Sequence, residues 1–176
     1  MVEHPEPRDL GALGAEMRAE WRAETEAATQ DALEQRQLRQ SLEQWLTERM
    51  HAGDRVAVSI AEQRFAGFVE ETGDDLVAVR AVFGRVDVHR TPAAPLYIEI
   101  HEHATSGGSR AEARRNFHDA LLARDGHDTS VGTLHDPEGV DGTLRVGTDF
   151  VSIVARLGAE TIVPLEAVLW ATARRS

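Results

Sequence analysis

The chain has 176 residues, of which 41% are hydrophobic and 28% charged, with a formal net charge of -11 and no cysteine. Disulfides, thiolate nucleophiles and Cys-ligated zinc are therefore excluded, and the negative average charge excludes generic coating of DNA. No apolar run approaches the roughly 18 to 20 residues of a membrane span, and the acidic start lacks the layout of a signal peptide, so we expect a cytoplasmic protein.

The first part of the chain is dense in helix-forming residues. From Gly14 to His51 there is no proline and no further glycine, which predicts one long helix ending at Gly53. Its apolar side chains recur at three- and four-residue spacings and form one stripe. Such a helix is longer than a small β-domain can cover, so part of the stripe is expected to contact a protein partner or a second copy. The residues expected at this interface are Trp21, Leu38, Leu42 and Trp45.

After Gly53 the apolar period changes from 3.6 to 2, and β-branched residues become common. Short turns between these segments favour antiparallel neighbours. Five strands are predicted here, at 55–60, 65–69, 76–79, 85–88 and 96–100.

A glycine and serine joint at 106–109 precedes a predicted helix from Arg110 to about Arg124, with Ser109 and Glu112 as a capping box. Strand signals then resume. Five more strands are predicted, at 129–134, 140–146, 150–154, 161–163 and 168–171.

The two strand-rich regions resemble each other. Residues 65–79 align with residues 140–154 if one residue is gapped in the turn. Each stretch contains a strand with an internal glycine, Gly67 or Gly142, then a tight turn and an apolar strand. A glycine there allows a sharp bend or the close approach of another backbone.

This layout resembles the Sm-like and SH3-like small β-barrels over residues 53 to 104 and 127 to 173. Their short 3₁₀ turn before the last strand would correspond to the Pro164-Leu165 step. The similarity implies rings and RNA binding, but the chain lacks the Asp-x-x-x-Asn run of the uridine pocket. The segments that carry the resemblance are Gly53-Asp54-Arg55-Val56, Phe65-Ala66-Gly67, Asp75-Leu76-Val77, Gly142-Thr143-Leu144, Asp149-Phe150-Val151 and Val163-Pro164-Leu165.

The expected fold is therefore α+β. A helical arm (1–52) is followed by a first five-stranded small-barrel half (53–104), a linker with a connecting helix (105–126) and a second five-stranded half (127–176). The two halves form either tandem barrels or one larger β unit.

Chemical signals are few. His101 and His103 have a spacing that metal sites use, which leaves a metal-dependent enzyme as one alternative. A cluster of arginines leaves an Sm-like RNA-binding regulator as another. We expect first a non-enzymatic interaction or scaffolding module for a protein or RNA partner, with no cofactor and no small-molecule substrate. The arginines assigned to RNA are Arg110, Arg114, Arg115, Arg174 and Arg175.

Overall fold

The structure is a computed structural model and describes residues 18–19, 21–22, 25–26, 29–30, 40–104, 107–108 and 115–174. The chain divides into two units, Met1–Ser41 and Leu42–Ser176. The described residues between 18 and 30 are helical, and there the Thr25 hydroxyl donates to the Trp21 carbonyl oxygen at 2.7 Å. Within the described residues, no helix is long and apolar enough to cross a bilayer.

Helix α1 spans Leu42–Ala52 and buries Leu46 and Met50. The predicted unbroken helix from residue 14 to 51 is wrong, because residues 40 and 41 are not helical. Serine is favoured immediately before a helix, where its side chain can cap free N–H groups, and Ser41 has that position. The predicted end is confirmed: Gly53 has a φ of 81°, and its N–H donates to the Arg49 carbonyl oxygen at 3.0 Å.

All ten predicted strand segments form strands. Their alternating apolar residues face a core, and their turns carry the expected glycines and aspartates. The bounds are β1 Arg55–Ile60, β2 Gln63–Thr72, β3 Leu76–Ala81, β4 Gly84–His89, β5 Leu96–Glu102, β6 Asp128–Thr133, β7 Val140–Val146, β8 Phe150–Val154, β9 Glu160–Pro164 and β10 Val168–Ala173.

The strands belong to one antiparallel sheet, in the order β5-β1-β2-β3-β4-β10-β6-β7-β8-β9. At its centre β10 pairs with β4, where Ala171 lies opposite Asp87 and Trp170 opposite Val88. This pairing shows that the predicted fold, a long helix followed by two five-stranded barrel halves, is wrong. Alternation and turn signals identify neighbouring strands, but they carry no information on a pairing between residues so far apart in sequence.

The helix between the two strand regions, α2, spans only Phe117–Leu122. The predicted helix from Arg110 to Arg124 is wrong in extent, since Arg115 and Asn116 are not helical. Asn116 caps α2, its side-chain oxygen accepting the Asp119 N–H at 2.7 Å. The capping box expected from Ser109 and Glu112 lies outside the described residues.

Two hydrophobic clusters share the sheet. In the first, α1 packs on β1–β4 with Leu169 and Trp170 of β10. In the second, α2 packs on β6–β9 with Val168 and Ala171 of β10. Strand β10 thus contributes to both clusters, which joins the two strand regions.

The internal repeat is visible in local hydrogen bonds. Gly73 N–H donates to the Leu76 carbonyl oxygen at 2.9 Å, and Gly147 N–H donates to that of Phe150 at 2.8 Å. The extra residue of the first stretch was predicted in the turn, but it lies within β2, at a β-bulge between Val69 and Glu71 that the β7–β8 pair lacks.

The two strand glycines allow close backbone approach, as predicted. A Cβ on Gly67 would lie 2.1 Å from the Arg80 carbonyl oxygen, and one on Gly142 would lie 2.5 Å from that of Val154. The expected 3₁₀ turn also forms, at Leu165–Ala167 directly after Pro164.

Candidate functional site

His101 lies on the exposed face of the edge strand β5. Its Nε2 is 2.6 Å from Nη2 of Arg64. Arginine can only donate, so Nε2 is the acceptor of this hydrogen bond. The same Arg64 nitrogen donates to the Glu99 carboxylate at 2.7 Å. The imidazole is thus part of a surface pair rather than a free ligand.

His103 has a different partner. Its Nδ1 is 3.3 Å from Oδ2 of Asp54, at the junction between α1 and β1. The two histidines of the predicted metal site are therefore not brought to a shared centre. In the part of the chain that the structure describes, no three His, Asp or Glu side chains are close enough together to hold a metal ion.

Asp54 lies between α1 and β1 and is only 3% exposed. It also contacts the segment that follows β5. Its carboxylate accepts from the Ala104 N–H at 2.8 Å and from Arg49 Nη1 at 3.0 Å. Burial raises the pKa of Asp54, but the hydrogen bonds from Ala104, His103 and Arg49 together outweigh burial and hold this pKa below its usual range. An ionised carboxylate therefore fixes the end of β5 against the end of α1.

Gly108, in the 106–109 joint, lies close against the end of α1. Gly108 N–H donates to the His51 carbonyl oxygen at 2.9 Å, and a Cβ on Gly108 would lie 2.2 Å from the Met50 carbonyl oxygen. This N–H satisfies a free carbonyl at the end of α1.

A cleft of about 450 Å³ lies beside this junction, within the roughly 300 to 1,000 Å³ of ligand sites. Its apolar surface includes Phe68, which is 50% exposed. Charges of both signs lie around it. The lining residues are Met50, Gly53, Arg55, Phe68, Val69, Glu70, Arg80, Glu102, His103, Ala104, Gly107 and Gly108.

The β-bulge places Glu70 at this cleft. Its Oε1 accepts from Nε of Arg80 at 2.7 Å and also from Nη2. Its Oε2 is buried and has no hydrogen-bond partner among the described residues. A buried carboxylate oxygen without a donor is costly, so a bound donor would stabilise it.

A second cluster of charged side chains, on β2 and β4, is paired within the fold. Asp87 and Glu71, both nearly buried, accept from Arg85 at 2.7 and 2.8 Å. Burial lowers the pKa of Arg85, but the two carboxylates outweigh it and raise this pKa above its usual range. These charges are paired inside the protein and present no free group to a ligand.

Two of the five arginines assigned to RNA lie among the described residues, and each is close to a carboxylate. Arg115 donates to Glu71 at 3.1 Å, and Arg174 lies 3.4 Å from the Asp141 carboxylate. The other three, Arg110, Arg114 and Arg175, lie outside the described residues. RNA binding stays a prediction that these contacts do not favour.

The residues expected at a partner interface also differ in environment. Trp45 packs against the first core, and the Arg49 guanidinium lies 5.7 Å from its ring centre. Trp21 is 74% and Leu42 42% exposed, and Leu38 lies outside the described residues. Self-association through this part of the chain stays a prediction.

Sequence reasoning missed Phe68, Glu70 and Arg80 as site residues, because each fits an ordinary strand. One signal was available: the first stretch of the internal repeat is one residue longer than the second. The prediction placed that residue in the turn, whereas the structure has the bulge at Glu70 in β2, beside the cleft.

Comparison of the chain with protein-family models, curated proteins and solved structures found no match.

Proposed function

We propose that this protein is a non-enzymatic interaction module that binds a segment of a protein partner in the cleft beside α1. The observation that carries the proposal is that one cleft is lined both by Phe68, a half-exposed aromatic ring, and by Glu70, whose buried Oε2 has no donor among the described residues. An exposed aromatic anchor beside an unsatisfied acceptor is typical of a recognition site.

The charges around the cleft favour a polypeptide over a polyanion. The cleft is lined by the acidic Glu70 and Glu102 as well as by the basic Arg55 and Arg80, while the chain carries a net charge of -11. A nucleic acid would meet carboxylates as well as guanidinium groups. A peptide can instead place an apolar side chain on Phe68 and offer a lysine, arginine or backbone N–H to Glu70.

The test is selection of random 12-residue peptides on the purified protein, followed by calorimetry of the enriched sequences. We expect peptides with an apolar residue next to a basic one. Phe68→Ala should weaken their binding by about tenfold or more, the cost of removing one buried aromatic anchor. Glu70→Gln should weaken it less, because a neutral acceptor remains.

Leu157→Ala is the matched control, since this leucine is 99% exposed in the β8–β9 turn. Its peptide affinity should equal that of the wild type. Failure to enrich any peptide, or equal losses in Phe68→Ala and Leu157→Ala, would contradict the proposal. Salt-sensitive binding of a labelled single-stranded RNA that Phe68→Ala does not weaken would also contradict it.

A further inference from the structure

The sheet contains two runs of five strands with the same internal order, β5-β1-β2-β3-β4 and β10-β6-β7-β8-β9. Strand β5 therefore corresponds to β10, and β9 corresponds to β4. Strands β4 and β10 meet at the central junction, whereas β5 and β9 lie at the two ends of the sheet. Each end strand has only one neighbour among the described strands.

The pairing registers identify equivalent residues. Val58 lies opposite Ile98, and Val131, at the same place in the second run, lies opposite Ala171. In the same way Ala78 lies opposite Asp87 and Ser152 opposite Ile162. The resulting equivalences are Ile98 with Ala171, Tyr97 with Trp170, Asp87 with Ile162, and Val88 with Val163.

The side chains that the junction buries are exposed at the ends of the sheet. Trp170 is 4% exposed at the junction, while its equivalent Tyr97 is 66% exposed on β5. Asp87 is 2% exposed, while its equivalent Ile162 is 65% exposed on β9. Both end strands thus expose a large apolar side chain at the position that the central pairing covers. Unpaired strand edges of this kind are templates for another strand.

We propose that β9 of one copy pairs antiparallel with β5 of a second copy, in the register of the β4–β10 junction. At the junction Asp87 lies opposite Ala171 and Val88 opposite Trp170. The same register places Ile162 opposite Ile98, and Val163 opposite Tyr97. Ile98 already packs against the first core, so Ile162, which lies opposite Ile98 in this register, would extend that core.

This contact is heterologous, because it joins two different edges, and each copy can use both edges at once. It uses strand edges rather than the cleft, so it does not rest on the proposed function. The occupant is a second copy because the chain itself supplies both complementary edges and the register in which they pair.

The test uses the absence of native cysteine. Ile98→Cys and Ile162→Cys are made as separate variants and mixed under a glutathione redox buffer. Directly opposed residues of antiparallel strands lie within disulfide distance. We expect a mixed disulfide dimer that forms at least about tenfold faster than the dimer from Ile98→Cys mixed with Leu157→Cys, the exposed collision control.

Two results would overturn the proposal. One is a mixed dimer that forms no faster than the collision control. The other is faster formation of Ile98→Cys homodimers, which would indicate symmetric pairing of β5 with itself.

In sedimentation, the wild type should show concentration-dependent assembly that Ile162→Lys abolishes, with the urea midpoint unchanged. A wild type that stays monomeric would also overturn the proposal. So would assembly that persists in Ile162→Lys, which would indicate self-association through residues 1–41 instead. Peptide binding measured on Ile162→Lys tests the cleft separately.

Discussion

The guanidinium of Arg124 donates two hydrogen bonds to one carboxylate oxygen of Asp87, from Nε at 2.8 Å and from Nη2 at 2.6 Å. Asp87 lies in β4, and Arg124 lies in the turn that follows α2. Because Asp87 is nearly buried, this contact fixes the second helix to the central junction of the sheet.

Removing Arg124 should leave this buried carboxylate short of donors. Arg124→Met is expected to lower the free energy of unfolding by about 3 kcal/mol, the usual cost of breaking a buried pair by removing one partner. Urea denaturation measures the change. The comparison is Arg145→Met, because Arg145 and Asp125 form an exposed pair at 3.9 Å, and its loss should be below about 1 kcal/mol. Similar losses in both variants would show that the buried contact contributes no more to the free energy of unfolding than the exposed one.

Asp54 predicts a pH dependence of stability. The pKa of Asp54 in the folded state lies below its ordinary value of 3.8. The ionised carboxylate therefore stabilises the fold fully at pH values above 3.8. This contribution fades as the pH falls below that value through the folded pKa. Asp54→Asn should therefore cost about 2 kcal/mol near neutral pH and much less near pH 3. Urea unfolding at the two pH values, with Asp74→Asn in the exposed β2–β3 turn as the charge control, measures the difference. A cost that is the same at both pH values would refute the role of the ionised form.

Gly67 should not tolerate a side chain. A Cβ there would lie 2.1 Å from the Arg80 carbonyl oxygen, which belongs to the backbone of β3 and cannot rotate away. Gly67→Ala is expected to destabilise the protein by about 3 kcal/mol or more through displacement of β3. In Gly107→Ala the nearest atom to the new Cβ is 3.9 Å away, so its melting temperature should stay close to that of the wild type. An unchanged melting temperature in Gly67→Ala would be inconsistent with this packing.

Asn116 should act as a helix cap. Asn116→Ala removes the acceptor of the Asp119 N–H and is expected to cost about 1 kcal/mol of stability. Asn116→Asp keeps an acceptor at the same place, and its unfolding midpoint should stay near that of the wild type. If both variants lose the same stability, the side-chain cap is not what stabilises α2.

The sequence predicts local elements well because their causes are local. Alternating β-branched residues located all ten strands, and the Pro164-Leu165 step located the 3₁₀ turn. The glycine after Ala52 located the end of α1. The start of α1 and the length of α2 were not predicted, since their composition is helix-forming on both sides of the actual boundary.

The arrangement of the strands depends on contacts between distant residues. Nothing near Val86 to Val88 in sequence indicates that β10 will lie beside them. The cleft was not predicted for the same reason, because it joins the bulge at Glu70 with Gly107 and Gly108 far along the chain. The histidine spacing was visible in the sequence, but the separate partners Arg64 and Asp54 were not.

The most direct test of peptide binding in the cleft is to locate the peptide-binding surface by NMR. The amide shifts of the 19.4 kDa chain are followed while a selected peptide is added. Because the peptide is proposed to bind in the cleft, the largest shifts are expected on Phe68, Glu70, Arg80 and Gly107. Shifts concentrated on β8 and β9, or a spectrum that saturating peptide leaves unchanged, would contradict this expectation.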